Sequence, residues 1–217
     1  MIRQKCALTI IEIIFVIIII GIISAIIAPN FQDNSLIKAA NQVAKHIRYT
    51  QHLALMDDKF DPTNRYWYKG RWQLQFSKDA WTNYQYVYNI YADDASYSGS
   101  PNKSEMAKNP LNPKQYLSGG YSGSLHYTDE RVTKSMNLTK TYGINEIKFK
   151  NCGSRAKRVA FDYLGRPIYG NLRTSQKPYS RLLQTVCHIW LCKDISCSKK
   201  IVIAIEPESG YVHILPN

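Results

Sequence analysis

Residues 7–29 have the sequence Ala7-Leu-Thr-Ile-Ile-Glu12-Ile-Ile-Phe-Val-Ile-Ile-Ile-Ile-Gly21-Ile-Ile-Ser24-Ala-Ile-Ile-Ala28-Pro29. Glu12 is the only ionisable residue in this apolar stretch. Its length, close to that of the shortest bilayer-spanning helices, predicts a transmembrane helix. A carboxylate inside a bilayer costs roughly 2.5–3.5 kcal/mol even on a permissive scale, so a passive anchor has no use for one. We therefore expect Glu12 to have a partner that neutralises it.

The residues that flank the stretch bear on how it is processed. Arg3 and Lys5 precede it, which predicts a cytoplasmic amino terminus. A cleaved secretory signal is disfavoured, because a cut after Ala28 places Ile26 where signal peptidase needs a small residue and Pro29 directly beyond the cut. An uncleaved signal anchor is the second alternative; it accounts for the length of the stretch but not for Glu12.

The segment resembles the amino terminus of type IV pilins and of the pseudopilins of type II secretion and DNA-uptake machines. In that family prepilin peptidase removes a short basic leader, the new amino terminus is N-methylated, and the fifth mature residue is Glu. A cut between Ala7 and Leu8 makes Leu8 the first residue and N-methylation site, Glu12 the fifth residue, and Pro29 a helix-bending proline that the family often carries. Ala7 departs from the glycine that usually precedes the cut.

The resemblance gives Glu12 a partner. In a helical filament, Glu12 of one subunit meets the Leu8 ammonium of its neighbour, so each buried charge is paired. Filament assembly then depends on Glu12 and Pro29. The alternative is a Glu12 that stays protonated or reaches the cytoplasmic surface.

The rest of the chain predicts an amphipathic helix followed by strands. Apolar residues recur at steps of three and four from Leu36 to Ala54. Period-2 patterns at Trp72–Phe76 and Tyr84–Ile90 predict half-buried antiparallel strands. Further strands are expected at residues 146–149, 158–161, 186–191, 201–205 and 211–215.

These elements define the expected organisation. We expect a leader at 1–7, a transmembrane or filament-core helix at 8–28, an amphipathic helix at 29–57, and a β-rich periplasmic domain at 58–217 with a long loop near 92–128. As the resemblance implies, the fold class is α+β and pilin-like, with one long amino-terminal helix, half transmembrane and half amphipathic, packed on antiparallel β-sheets. The stretch from Val159 to Pro167, followed by the closing stretch from Ile203 to Ile214, resembles H-type minor pseudopilins; two ordinary hairpins with glycine turns are the alternative.

Four cysteines remain once Cys6 leaves with the leader. An even number in an exported domain suggests two disulfides, for which three pairings are possible. Cys192 and Cys197 flank a polar turn, which favours a local bridge and leaves Cys152 with Cys187. A metal site is the alternative, without the paired spacing of zinc motifs.

The chain is basic, with 28 Lys and Arg against 16 Asp and Glu and a formal net charge of +12. This balance favours acidic partners such as DNA or anionic lipid. The candidate DNA contacts are Lys148, Lys150, Arg155, Lys157, Arg158, Lys199 and Lys200. They would bind phosphates without sequence preference. A solvated charged face is the alternative.

No catalytic motif is present in the sequence, so we expect no enzyme activity, no cofactor and no metal. Asp93 and Asp94 alone are weak indications of calcium. We expect a minor pseudopilin of a type II secretion or competence machine in the bacterial inner membrane, with its carboxyl-terminal domain in the periplasm. Its partners are other pilins, prepilin peptidase and the inner-membrane assembly platform. A DNA-binding minor pilin for transformation is the alternative.

Overall fold

The computed structural model describes residues 9–27, 34–94, 96–121, 124–153 and 157–215; for residues 24–27 it describes the backbone only. The chain forms two compact units, Met1–Asn34 and Ser35–Asn217. The first unit contains helix α1, Ile10–Ile27. The second contains every other element described below.

Among the described residues, the second unit has two α-helices and ten strands. The helices are α2 (Ser35–Met56) and α3 (Leu138–Tyr142). The strands are β1 (Trp72–Ser77), β2 (Val87–Ala92), β3 (Lys108–Asn109), β4 (Asn112–Tyr116), β5 (Glu146–Lys150), β6 (Arg158–Phe161), β7 (Pro167–Tyr169), β8 (Cys187–Cys192), β9 (Lys200–Ile205) and β10 (Val212–Ile214). The strands expected in the last third of the chain are confirmed, with no bound differing by more than one residue.

The strands form three antiparallel sheets. Sheet 1 has the order β2-β1-β6-β7, sheet 2 the order β10-β9-β8-β5, and β3 pairs with β4 in a two-stranded hairpin. Neighbouring strands in sheets 1 and 2 are all antiparallel, as the short turns between β6 and β7 and between β9 and β10 require. Strand β5 therefore lies at an edge of sheet 2.

The predicted fold class, α+β and pilin-like with one long amino-terminal helix on a sheet, is wrong. The described elements include ten strands in three sheets, and the three α-helices include none that is both long and apolar. Of the two predicted halves, the structure describes α1, Ile10–Ile27, in the first unit and α2, Ser35–Met56, in the second. The predicted long helix packed on a sheet is therefore represented only by α2, which is amphipathic rather than apolar.

The predicted membrane span is also wrong. No helix within the described ranges is long and apolar enough to cross a membrane. The 18 residues of α1 extend about 27 Å at ~1.5 Å per residue, less than the roughly 30 Å of a hydrocarbon layer, and Glu12 lies in the first turn. The predictions of a transmembrane helix and of a single-pass inner-membrane protein with a periplasmic domain are therefore not supported.

Helix α2 carries the core of the second unit. Ala39, Ala40, Val43, Ala44 and Ile47 form a fully buried stripe at helical spacing. Their small side chains let the helix backbone approach the strands closely, and α2 contacts β1 and β6 of sheet 1 and β8, β9 and β10 of sheet 2. One helix therefore holds both four-stranded sheets around a single apolar core.

Helix α2 also binds two turns. Gln51 Nε2 donates hydrogen bonds to the carbonyl oxygens of Gly165, at 2.8 Å, and Ser209, at 2.9 Å. The turn at Gly165 is organised by the buried carboxylate of Asp162, which accepts from the Leu164 and Arg166 amides and from Arg166 Nε. The motif from Val159 to Pro167 is thus a β6–β7 hairpin whose Asp, Gly and Arg residues build its turn.

Sheet 1 is buried on both faces, whereas alternation had predicted half-buried strands. All six residues of β2 are buried, and its start is Val87 rather than Tyr84, because Asn83 and Tyr84 have positive φ angles of 51° and 55°. The outer face is covered by part of the segment predicted as a long loop. That segment contains β3 and β4, and it contributes Met106 and Leu125 to a second apolar cluster with Tyr91.

His46 lies on the buried side of α2. Its Nδ1 is 2.8 Å from the Tyr88 hydroxyl, and its Nε2 is 3.3 Å from the Gln42 amide nitrogen. Burial, with a smaller effect of the nearby Lys45 charge, lowers the pKa of His46 to about 4. The folded protein therefore holds His46 neutral at pH values where the unfolded chain binds a proton.

This pKa predicts a pH-dependent stability. Because the folded-state pKa is below the unfolded value of 6.5, the contribution of His46 is present above pH 6.5 and is lost as the pH falls towards 4. We expect His46→Gln to have a lower free energy of unfolding than the unmodified chain at about pH 7. Between pH 6.5 and 4, the free energy of unfolding of this variant should fall by on the order of 3 kcal/mol less than that of the unmodified chain. Urea unfolding across this range measures the difference. The matched control is His52→Gln, on the exposed side of the same helix; equal pH slopes for the two variants would contradict the assignment.

Candidate functional site

The predicted functional residues fall in three places: helix α1, the disulfide region of sheet 2, and the basic residues of β5, β6 and β9. Glu12 is on α1. The predicted cleavage residues Ala7 and Leu8, the predicted Pro29 and the DNA candidate Arg155 lie outside the described residues.

Glu12 belongs to a capping box at the start of α1. The Glu12 Oε2 atom accepts hydrogen bonds from the Thr9 amide, at 2.9 Å, and from the Thr9 hydroxyl, at 3.1 Å. The Glu12 amide in turn donates to the Thr9 hydroxyl oxygen at 3.4 Å. This is the reciprocal Thr-x-x-Glu arrangement that satisfies free amides at a helix amino terminus. The two Thr9 bonds to the carboxylate lower the pKa of Glu12, the amide bond more than the hydroxyl bond.

The surface of α1 is apolar on every side. All described side chains from Ile10 to Ile23 are exposed, with exposed fractions of 80% for Ile10, 65% for Phe15 and 63% for Ile17. Exposed apolar residues therefore surround the helix instead of forming one stripe. A helix that is hydrophobic all round is stable in proteins when other apolar surface encloses it.

The four cysteines of the second unit form two disulfides. Cys152 pairs with Cys187, and Cys192 pairs with Cys197. These are the two pairs that the sequence favoured. The first disulfide joins the segment just after β5 to the first residue of β8, so it fixes the edge strand to its neighbour. The second closes the turn between β8 and β9.

Two of the basic candidates are engaged inside the protein. Arg158 is only 7% exposed, and its Nη1 donates to the Gly99 carbonyl at 3.0 Å and to the Tyr91 hydroxyl at 3.2 Å. Lys157 Nζ donates to the Tyr86 hydroxyl at 3.0 Å and lies 3.8 Å from the Glu146 carboxylate. Burial lowers the pKa of Lys157, and Glu146 partly offsets this effect. Arg158 is therefore not available to a nucleic acid, whereas the Lys157 side chain is 41% exposed and shares its charge with Glu146.

Three of the remaining basic candidates, Lys148, Lys150 and Lys200, lie around Trp190 on the outer face of sheet 2. Lys148 is directly opposite Trp190 in the β5–β8 register. The ammonium groups of Lys150 and Lys200 lie 3.9 and 4.8 Å from the Trp190 ring centroid. Lys199, in the turn before β9, is exposed. We call Trp190, Lys148, Lys150 and Lys200 the Trp190 face.

Asp93 and Asp94 have separate roles within the protein. The buried Asp93 carboxylate accepts from the Ser98 amide at 2.9 Å and the Gly99 amide at 2.6 Å. Asp94 forms an ion pair with Lys59 at 3.0 Å. In the part of the chain that the structure describes, no group of three or more His, Cys, Asp or Glu residues could hold a metal ion.

Three features were missed by sequence reasoning. The capping role of Glu12 has a local signal, because Thr9 stands three residues before it. The central position of Trp190 had no such signal, since it depends on cross-strand pairing between β5, β8 and β9. The His46–Tyr88 contact is likewise a tertiary feature.

Comparisons with the models of known protein families, with curated proteins and with solved structures found no match.

The two disulfides should contribute unequally to stability. They close loops of 35 and 5 residues, for which chain entropy predicts about 4 and about 2 kcal/mol. We expect Cys152→Ala with Cys187→Ala to lower the free energy of unfolding by about twice as much as Cys192→Ala with Cys197→Ala. Urea unfolding of the oxidised proteins measures both values. Equal losses, or a larger loss for the short loop, would contradict the ranking.

Proposed function

We propose that the protein is a structural subunit of a helical filament, a minor pseudopilin of a type II secretion or competence machine, formed after prepilin peptidase cuts between Ala7 and Leu8. The observation that carries this proposal is the surface of α1, which is apolar on every side and has Glu12 as its only ionisable residue. Filament assembly supplies cover for the apolar surface and a counter-charge for Glu12.

The apolar surface supports assembly with like helices. Burying an exposed Ile or Phe side chain gains about 1.5–3 kcal/mol, and α1 offers such side chains around its whole circumference. A partner must therefore surround the helix rather than cover one stripe. Copies of α1 in a helical array meet this need, because every copy requires the same cover and provides it to its neighbours.

The state of Glu12 supports a charged partner. The Thr9 hydrogen bonds lower the pKa of Glu12 in the single chain, which favours its ionised form. An anion enclosed by apolar helices requires a cation. Cleavage before Leu8 would create an ammonium group four residues away along the chain, and the ammonium of a neighbouring subunit would pair with Glu12 and set the stagger between subunits.

A second function, binding of single-stranded DNA, is favoured by the Trp190 face. The ammonium groups over the indole are held by cation–π attraction of only about 0.5–1 kcal/mol each at an exposed site. A base can therefore replace them on the ring while the lysines bind the adjoining phosphates. Base–aromatic stacking and backbone charge are the two components of sequence-tolerant single-strand binding.

Variants at Glu12 and Thr9 test the filament proposal. Gln preserves a capping box but removes the charge, so Glu12→Gln separates the two roles of this residue. We expect Glu12→Gln and Glu12→Ala each to lower incorporation into filaments by roughly tenfold or more, a loss that corresponds to about 1.4 kcal/mol or more. Recovery of each variant in sheared filaments, relative to its cellular amount, is the measurement.

The matched control is Thr9→Ala, which removes the hydroxyl of the cap and keeps the carboxylate. This variant should assemble within about fivefold of the unmodified chain, because a lost cap costs only about 1 kcal/mol. Normal incorporation of Glu12→Gln would contradict the charge-pairing proposal. Mass spectrometry of the filament subunit should find Leu8 at the amino terminus.

The Trp190 face predicts a specific loss of DNA binding. Trp190→Ala should weaken binding of an oligothymidine of about 20 nucleotides by roughly tenfold, since stacking contributes about 1–3 kcal/mol per base. Lys150→Gln with Lys200→Gln should reduce the slope of log affinity against log salt by about 1.4. Fluorescence anisotropy measures both. Trp81→Ala, at another exposed tryptophan, is the control; equal affinity of the two tryptophan variants would contradict this function.

A further inference from the structure

A cavity of about 420 Å³ runs beside strand β5. All five residues of β5, from Glu146 to Lys150, line it, together with Gly153 and Lys157. Successive side chains of a strand point to opposite faces, so a cavity that touches every residue of β5 lies along the edge of the strand rather than on one face. β5 is the last strand of sheet 2, with β8 as its only strand neighbour in the described sheet.

Backbone groups of β5 point into this cavity. The Ile147 amide donates to the Glu146 Oε1 atom at 3.1 Å, so it is directed away from β8. Because backbone groups on one side of an antiparallel strand recur at every second residue, the Phe149 amide and carbonyl share that direction. An edge of this kind is a template for a further strand. The Cys152–Cys187 disulfide holds β5 against β8, so the template is rigid.

The charge of the cavity selects the strand that can bind there. Lys148, Lys150 and Lys157 line it, against one carboxylate, that of Glu146. The Glu146 carboxylate is already bound, since it accepts from the Tyr86 hydroxyl at 2.8 Å and lies 3.8 Å from Lys157 Nζ. The two lysines of β5 therefore remain to attract an acidic partner.

We propose that the free edge of β5 binds an extended, acidic peptide segment of a partner protein by strand addition. The backbone of the segment pairs with Ile147 and Phe149, and its Asp or Glu side chains contact Lys148 and Lys150. Five residues of β5 span about 17 Å, which matches a segment of about five residues. The site involves neither α1 nor Glu12 and does not depend on filament formation.

Two other occupants fit less well. A second copy of β5 would bring its own lysines against Lys148 and Lys150, and like charges on paired strands destabilise the pair. A nucleic acid offers phosphates to the lysines but has no peptide groups to complete the ladder. Only an acidic peptide satisfies both the backbone and the charge of the edge.

Glu146 has a defined role in this site. When no peptide is bound, the Glu146 carboxylate accepts a hydrogen bond from the Ile147 amide. A carbonyl group of the bound peptide accepts that hydrogen bond instead. Glu146 then keeps its contacts with Tyr86 and Lys157. A charged side chain that blocks the backbone of an edge also hinders non-specific pairing, which explains how the edge stays open without self-association.

Alternately N-methylated peptides test strand addition on the full-length chain in mild detergent. The probe is a fluorescent peptide of about seven alternating Val and Glu residues. One version is N-methylated at every Val and a second at every Glu. Only the amides of alternate peptide residues face β5 in a ladder, so only one of the two versions loses hydrogen bonds to β5. We expect one methylated peptide to bind roughly tenfold more weakly than the parent, and the other within about twofold of it. Equal effects of the two methylation patterns would overturn the proposal.

Charge variants provide the second arm. Lys148→Glu with Lys150→Glu should weaken binding of the unmethylated peptide by roughly tenfold or more. The matched control is Lys114→Glu with Lys134→Glu, which makes the same charge change at exposed positions away from β5. If both pairs of substitutions weakened peptide binding equally, the effect would come from net charge alone. That result would overturn the proposed site. If the protein self-associates and the peptide does not reverse this, the edge of β5 binds a second copy of the chain. That result would overturn the proposed occupant.

Discussion

The apolar surface of α1 is the constraint on which the function of this protein depends. Every described side chain from Ile10 to Ile23 is exposed, and Glu12 adds a charge near one end. Exposing so much apolar surface to water is unfavourable, and enclosing an unpaired carboxylate in apolar surroundings is also unfavourable. The proposed helical array of like subunits would satisfy both conditions, because each subunit would supply apolar cover and, after cleavage before Leu8, a cation. This is the physical basis of the proposed filament.

The second unit is organised by a different helix. α2 uses a stripe of Ala, Val and Ile to hold two antiparallel sheets, and Gln51 fixes the turns at Gly165 and Ser209. Sheet 1 is closed on both faces. Sheet 2 keeps an outer face around Trp190 and an edge at β5, and both carry lysines. Within the second unit, both surfaces proposed for binding therefore belong to sheet 2.

Local patterns predicted much of this fold. The strands of the last third, the apolar stripe of α2 and the proximity of Cys192 to Cys197 all follow from residues near one another in the chain. Long-range features did not follow. The division of the chain into two units between Asn34 and Ser35 was missed, because it depends on which residues contact one another in the folded protein. The burial of Arg158 arises from contacts with Tyr91 and Gly99, which are distant in sequence.

The central claim is that copies of α1 enclose one another in a filament. A benzophenone photo-crosslinker at Ile17, which is 63% exposed in the single chain, tests this most directly. Irradiated filaments should yield ladders of crosslinked subunits with the linkage mapped between α1 segments, whereas the same group at Leu111, an exposed position in the second unit, should yield no α1 linkage. Crosslinks from Ile17 only to other proteins, or no crosslinks at all, would contradict the account.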